Sequence, residues 1–414
     1  MGMTIRKGSW NKGPDLAFAI NKRVADAKRK HGQDAVINAC LGTLADDDGN
    51  IIALASVYKR LDEMDRKVIA SYAPIEGEED YRRLVVESLF GSYKPKAYIS
   101  AISTPGGTGA IRSAIFSYVD RGDPVICHDY YWSPYKKICE EFERDFKTYE
   151  FFDKTYRFNI EAFKNEVNKN LENKDRLAAL INSPGNNPSG YSLSDDEWDL
   201  LIGFLRKKAR DKAKRITLIV DVAYIEFAGD GDEQKRFFEK FTDLPDNLMV
   251  VVCYSMSKSH TAYGLRSGAA IGISSSKENI EEFEASISLT ARCNWSNGTH
   301  VAQRILIDLE REENKGEYLK ELEDIRLMLE QRADEFVRRA KANDLTIIPY
   351  FGGFFTFVPT DRAFEISESL EEENIFTIPS DKGIRVAICS VSLDKIPHLV
   401  SRLAYYVNKT CKNF

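Results

Sequence analysis

A lysine at position 258 stands three residues after a hydroxyl, Ser255, and eight before an arginine, Arg266. In that pattern the hydroxyl and guanidinium can hold a phosphate while the amine attacks a carbonyl. A lysine on a solvated surface has the same local spelling. Three other stretches carry polar groups of a related kind. Thr104-Pro105-Gly106-Gly107-Thr108-Gly109-Ala110 precedes a helical pattern. Glycines let backbone N–H groups approach an anion, and a helix N-terminus favours negative charge. A tight turn capped by Thr108 fits the same residues. Asn182-Ser183-Pro184-Gly185-Asn186-Asn187-Pro188-Ser189-Gly190 supplies three Asn side chains in one turn-rich loop. Asp221-Val222-Ala223-Tyr224 puts an acid at the end of an apolar run, where it needs a partner. That partner is either a helix amide or a cationic ring nitrogen.

These loops need a scaffold that brings them to one edge. Short apolar or β-branched runs predict strands at 97–102, 124–127, 177–181, 216–220, 249–254 and 269–273. Most are bounded by Gly, Pro, Asn, Asp or Ser. Amphipathic stretches at 109–120 and 195–209 lie between them, the second opened by Asp195-Asp196-Glu197. Apolar strands alternating with helices predict an α/β domain with a mostly parallel sheet covered by helices. Ligands of such sheets bind at the carboxyl ends of the strands, where all four loops fall. From about Lys315 to Asp344 the chain is charged with apolar residues at helical spacing, which predicts a long solvated helix joining two domains. Strand signals at 345–349, 354–358 and 385–388 and a helix near 396–406 then predict a smaller α+β domain. The first fifty or so residues are expected to pack with it. The expected division is 50–315 for the large domain, and 1–49 with 316–414 for the small one.

The 414 residues include 58 Lys and Arg against 64 Asp and Glu, a net charge of −6. A general nucleic-acid binder needs the opposite balance. No apolar run approaches the roughly 20 residues of a membrane span. The start, Met1-Gly2-Met3-Thr4-Ile5-Arg6, carries no apolar leader pattern. Seven scattered cysteines without a CxxC pair, and five histidines without an HxxxH pair, argue against a disulfide framework and a metal centre. A reducing cytoplasm is the expected home.

Taken together, the motifs resemble the class I aminotransferases, which use pyridoxal 5′-phosphate (PLP) on fold type I. Ser-x-Ser-Lys with Gly-x-Arg-x-Gly is present from Ser255 to Gly268. Asn-Pro-Thr-Gly appears as Asn187-Pro188-Ser189-Gly190, Asp-x-Ala-Tyr as Asp221–Tyr224, and the phosphate loop as Gly106-Gly107-Thr108-Gly109. Outer segments are similar to the aspartate and aromatic branch. They are Asn38–Gly42 with Asp46–Gly49, Tyr72–Gly77, Arg292–Asn297 and Arg385–Ile388. The resemblance implies that Lys258 carries PLP covalently and then moves the substrate Cα proton. It implies that Asp221 keeps the pyridine nitrogen protonated, and that Tyr224 and Asn187 bond the ring oxygen. Trp132 would stack on the ring. Gly107, Thr108, Ser255 and Arg266 would hold the phosphate, with Tyr72 reaching in from the other subunit of a homodimer. Arg385 would bind the α-carboxylate, with Gly42 and Asn187 also counted as substrate-binding. Arg292 would serve the partner's site by binding a side-chain carboxylate. The implied reaction moves an amino group from aspartate or an aromatic amino acid to a 2-oxo acid such as 2-oxoglutarate. Another PLP reaction on this fold, β-elimination or decarboxylation, is the alternative, ahead of a non-enzymatic regulator.

The chain departs from the branch at four places. Gly106 replaces a frequent Ser, Asn186 a His, Tyr135 a His near the stacking Trp, and Gly298-Thr299 a Pro-Pro. Support of Asp221 must therefore differ, and the loop beside Arg292 is freer.

Overall fold

The computed structural model describes residues 16–229 and 232–411. The opening Met1–Arg6 segment, read above for a leader, lies outside them. The chain forms two compact units. The smaller comprises residues up to Ile52, Gly185–Ser192 and the chain from Asp324; the larger comprises Ala53–Pro184 and Leu193–Glu323. The crossings at 52/53 and 323/324 lie three and eight residues beyond the expected boundaries. Gly185–Ser192 goes with the smaller unit, which no composition shift announces.

The larger unit is built on seven strands. They are β1 (Tyr98–Thr104), β2 (Pro124–His128), β3 (Asp145–Tyr149), β4 (Arg176–Asn182), β5 (Arg215–Asp221), β6 (Leu248–Ser255) and β7 (Gly268–Ser274). Their order is β1-β7-β6-β5-β4-β2-β3. All neighbours are parallel except β7, which runs antiparallel to both β1 and β6. β6 and β7 are buried along their whole length, as continuous apolar runs require. β3 escapes the sequence reading because Asp-Phe-Lys-Thr-Tyr is an edge strand, largely uncovered and charged.

The helix after β1 begins at Gly106, three residues before the expected start, so Gly107, Thr108 and Gly109 form its first turn. Thr108 caps nothing there, because Pro105 holds the N-cap position. Ala110, Ile111, Ala114 and Ile115 pack with Ile102, Val251 and Ala270 in the main core. The Asp195–Lys208 helix opens as expected, with a capping box between Ser194 and Glu197.

The smaller unit holds an antiparallel sheet of β8 (Phe355–Pro359), β9 (Ile378–Ser380) and β10 (Gly383–Ala387), in the order β9-β10-β8. Within this unit Ile37-Asn38 pairs parallel with Ile375-Phe376. Residues 345–349 form no strand. Ile348 N–H bonds the Phe357 carbonyl at 2.9 Å, and Pro349, with no N–H, ends the pairing. The long helix spans Glu312–Ala342. It is not solvated all round: Tyr318, Leu322, Ile325, Leu329, Ala333, Phe336 and Ala340 form a buried stripe at spacings of three and four. Asp344, with φ 51°, ends it in the left-handed conformation.

Two histidines lie in the core of the larger unit. His128 stacks on Phe151 at 4.0 Å, and His260 on Tyr318 at 4.8 Å. Burial pushes His128 down to about 4 and His260 to about 3. Both rings stay neutral in the fold at pH values where the unfolded chain already takes up protons. Each group therefore removes stability as pH falls below about 6.5, at up to roughly 1.4 kcal/mol per pH unit. His128→Phe, which keeps an aromatic ring on Phe151, should flatten the fall in urea-unfolding free energy between pH 6.5 and 5. An unaltered slope would show that His128 is not held neutral.

Candidate active site

The register of β7 assembles the first cluster. Gly268 pairs with Thr104 of β1 on one side and Ser255 of β6 on the other. The turn opening the Gly106–Tyr118 helix, the end of β6 and the residues entering β7 therefore meet at one place. A Cβ on Gly106 would lie 3.0 Å from Arg266 Nη2, and one on Gly107 3.4 Å from Ser255 Cβ. A Cβ on Gly268 would fall 2.3 Å from the Tyr254 carbonyl oxygen and 2.8 Å from Gly106 C. Glycine is thus required at Gly268 by close backbone approach, while Gly106, where the branch often has Ser, takes a left-handed φ of 70° against the Arg266 guanidinium. Arg266 is itself left-handed at φ 51°, which turns its side chain back. Its Nη1 donates to Ser257 Oγ at 3.2 Å and to the Tyr263 carbonyl at 3.0 Å. Two glycines in a first helical turn, a hydroxyl and a guanidinium form a receptor for a small dianion.

Lys258 lies in the short helix Met256–Ser259 that follows β6. Its Nζ stands 5.6 Å from the Tyr224 ring and 4.9 Å from the Tyr263 ring. Asp221 ends the adjacent β5 and is buried. Its Oδ2 accepts the Tyr135 hydroxyl at 2.5 Å and its Oδ1 accepts the Ala223 amide at 3.0 Å. The Asn182 side-chain amide donates to the Asp221 carbonyl at 3.0 Å. Burial pushes the Asp221 carboxyl above its ordinary value, opposed by Tyr135, the Ala223 amide and the Lys258 charge. Trp132, partly buried, meets the Tyr135 ring edge-on at 5.5 Å. An amine, a buried carboxylate and an indole beside an anion receptor make a set suited to a phosphorylated cationic ring.

The second cluster belongs to the smaller unit. On β10, Ile384 and Val386 enter the core, so Arg385 between them faces the other side. Its guanidinium lies over Phe355, 4.5 Å from the ring centroid. Nη2 donates to the Cys40 carbonyl at 2.8 Å and Nη1 to Asn187 Oδ1 at 3.3 Å. Asn187 rides on the 185–192 segment, tied down by Phe351 N–H to the Gly190 carbonyl at 2.8 Å. Asn186, the departure from His, accepts from Ser189 N and Oγ at 3.1 and 2.6 Å and so shapes that turn. Gly42 is half-buried two residues after Cys40. Beside it, the Cys389 thiol faces the Leu41 and Thr43 carbonyls at 3.4 and 3.6 Å.

Sequence reasoning missed Arg332. It is fully buried and bonds the Ala45 and Cys389 carbonyls at 2.9 and 3.1 Å and Asp47 at 2.7 Å. It thereby fixes the segment after Gly42 to the end of β10. Only its place in a charged helix marks it in the sequence, and that pattern reads as surface.

Tyr72 and Arg292 are exposed side chains of the larger unit, Tyr72 at 89%. Arg292 Nη1 donates to Ser296 Oγ at 2.6 Å, and no acidic group pairs with it among the described residues. Asn297 donates to the Ala73 carbonyl at 2.8 Å, which joins the two segments. Gly298 is required here as well, since a Cβ would lie 2.3 Å from Ser103 Oγ. The Gly-Thr departure thus reflects packing as much as loop freedom.

Comparison with known proteins follows the same lines. The model of the family "Aminotransferase class I and II" matches residues 34–403. A crystal structure of an aminotransferase from Anaerococcus prevotii is 70% identical, covers 99% of this chain and 100% of its own, and superposes with a TM-score of 0.98. An aspartate aminotransferase of Pseudomonas aeruginosa is 25% identical over 385 residues, 87% of this chain and 89% of that one. An aromatic-amino-acid aminotransferase of Burkholderia pseudomallei, covalently bound to pyridoxal phosphate, shares the fold at 21% identity and a TM-score of 0.79, covering 98% of this chain and 100% of its own. With the family model spanning most of its length, the chain belongs to the class I and II aminotransferases, enzymes that transfer amino groups with pyridoxal 5′-phosphate on a mostly parallel α/β fold.

Proposed function

We propose that this aminotransferase takes the amino group of aspartate or an aromatic amino acid and passes it to a 2-oxo acid such as 2-oxoglutarate. The observation that carries the dicarboxylate part is Arg292: an exposed guanidinium with no acidic partner among the described residues. In a homodimer it would serve the site of the other subunit, as would the exposed Tyr72. Among the described residues, no helix is long and apolar enough to cross a membrane. Of the six described cysteines, all free, five are buried, which suits a reducing cytoplasm.

The first cluster fits PLP by its donor set. Gly107 and Thr108 amides, the Ser255 hydroxyl and Arg266 would hold the phosphate, and at the adjoining Gly268 backbone contacts leave no room for a Cβ. Trp132 would cover the ring face. Bound there, the cofactor supplies a carbonyl carbon for the amino group and a cationic ring that takes up electrons from the substrate Cα. Asp221 would hold the proton on the ring nitrogen. Tyr224 and Asn187 would donate to the ring oxygen. Lys258 would anchor the cofactor and carry the proton to and from Cα. Arg385, braced by the Cys40 carbonyl and Phe355, pairs with the α-carboxylate through a planar fork that a lysine lacks. Asn187 and Gly42 would line the substrate as well. Two carboxylate clamps fix the Cα–H bond for Lys258, which favours transfer over elimination or decarboxylation.

The purified enzyme should show a visible cofactor band that aspartate or glutamate converts to the band of the aminated cofactor. Lys258→Ala should lose both the lysine-bound band and turnover, and an unchanged spectrum would remove Lys258 from its role. Arg292→Ala should lower kcat/KM for aspartate about tenfold to a hundredfold more than for phenylalanine or tyrosine, the range of a hydrogen-bonded charge. Equal losses on all three would mean that Arg292 is not the distal clamp. Gly268→Ala should weaken PLP retention at least tenfold and lower Tm, because its Cβ meets backbone on two sides. Gly264→Ala, which meets nothing within 4 Å, is the control.

A further inference from the structure

Asp221 reaches the ring end of the first cluster with one side-chain donor among the described residues, and that donor is a phenol. Tyr135 is fully buried, and its hydroxyl meets Asp221 Oδ2 at 2.5 Å. The groups that face the pair are the Cys127 thiol from β2, the Cys253 thiol from β6 and the Lys258 amine. Burial pushes both thiols well above their ordinary values, so they stay neutral. Tyr135 is fixed from two directions. Its amide bonds the Trp132 carbonyl at 3.0 Å, and its ring meets the indole edge-on at an 81° interplanar angle. One side chain thus joins the indole to the acid.

We propose that Tyr135 is a positioning residue for the cofactor: its hydroxyl holds Asp221 ionised and aimed, so that the carboxylate keeps a proton on the PLP ring nitrogen. This rests on the reading of Asp221 as the ring-nitrogen partner. The phenol donates while uncharged. It stabilises the carboxylate without placing a second positive charge beside the protonated ring, where a like charge would expel one of the two protons. A histidine, the residue that the branch pattern leads one to expect here, donates in either a neutral or a charged form. The substitution therefore changes the charge that the ring nitrogen can meet.

The test uses apo-protein and PLP labelled with 15N at the pyridine nitrogen. The 15N shift reads ring protonation directly, and titration gives the PLP dissociation constant. Tyr135→Phe keeps the aromatic contact with Trp132 and removes the O–H. It should move the shift toward the unprotonated ring and weaken PLP binding about tenfold to a hundredfold, as loss of a hydrogen bond to a charged acceptor does. Tyr135→His, which restores an N–H donor, should recover a large part of both. Asp221→Asn marks complete loss. A clear change in Asp221→Asn beside none in Tyr135→Phe overturns the role of Tyr135 and leaves that of Asp221 standing. Weaker PLP binding in Tyr135→Phe with the 15N shift unmoved, or a moved shift that Tyr135→His does not restore at all, means that the donor to Asp221 does not set ring protonation, and also overturns it. No change in Asp221→Asn overturns the reading of Asp221 and this inference with it.

Discussion

The arrangement of the larger unit turns on the direction of one strand. β7 is the single strand of its sheet that runs against its neighbours, and it lies between β1 and β6. Had it run parallel, Ser267-Gly268 would enter the sheet at the far edge, remote from Ser255. Running antiparallel, it returns the chain from β6 through Lys258 and Arg266 to the same edge, and seats Gly268 between Thr104 and Ser255. The cost is crowding: three strand ends and a helix start share a space that admits no Cβ at Gly268. Gly268 is thus explained by packing, and its lack of a side chain lets the backbone of the Gly106 turn close against β6.

The chemistry of the sequence was more legible than its geometry. Lys258, Arg266, Asp221 and the glycine turn stand at strand ends, and polar residues bounding apolar runs are easy to see. The direction of β7 was hidden, because a fully buried strand has the same apolar run whichever way it points. β3 was hidden by its charged edge position, and 345–349 looked like a strand only because apolar residues there pack without a ladder. The helix start at Gly106 was obscured because glycines ordinarily read as loop.

The departures from the branch pattern divide in the same way. Asn186 and Gly106 answer local needs of a turn and a close contact, and the structure gives each a partner or a neighbour. Tyr135 is different, since its partner is the acid itself. Arg332 was out of reach for the opposite reason: helical charge patterns average over faces, and one buried guanidinium among many exposed charges leaves no mark.

The pairing of Ile37-Asn38 with Ile375-Phe376 has a temporal meaning. Synthesis runs from the N-terminus, so this early segment waits for a partner more than three hundred residues downstream. Every residue of the seven-stranded sheet is made in the interval. The sheet of the larger unit can therefore condense on the ribosome first, while the waiting segment, with Cys40 and Gly42, gains its strand partner and the Arg385 contact only near the end of synthesis. Assembly order thus makes Arg385, among the latest residues to emerge, the one that ties the Cys40 carbonyl to Asn187.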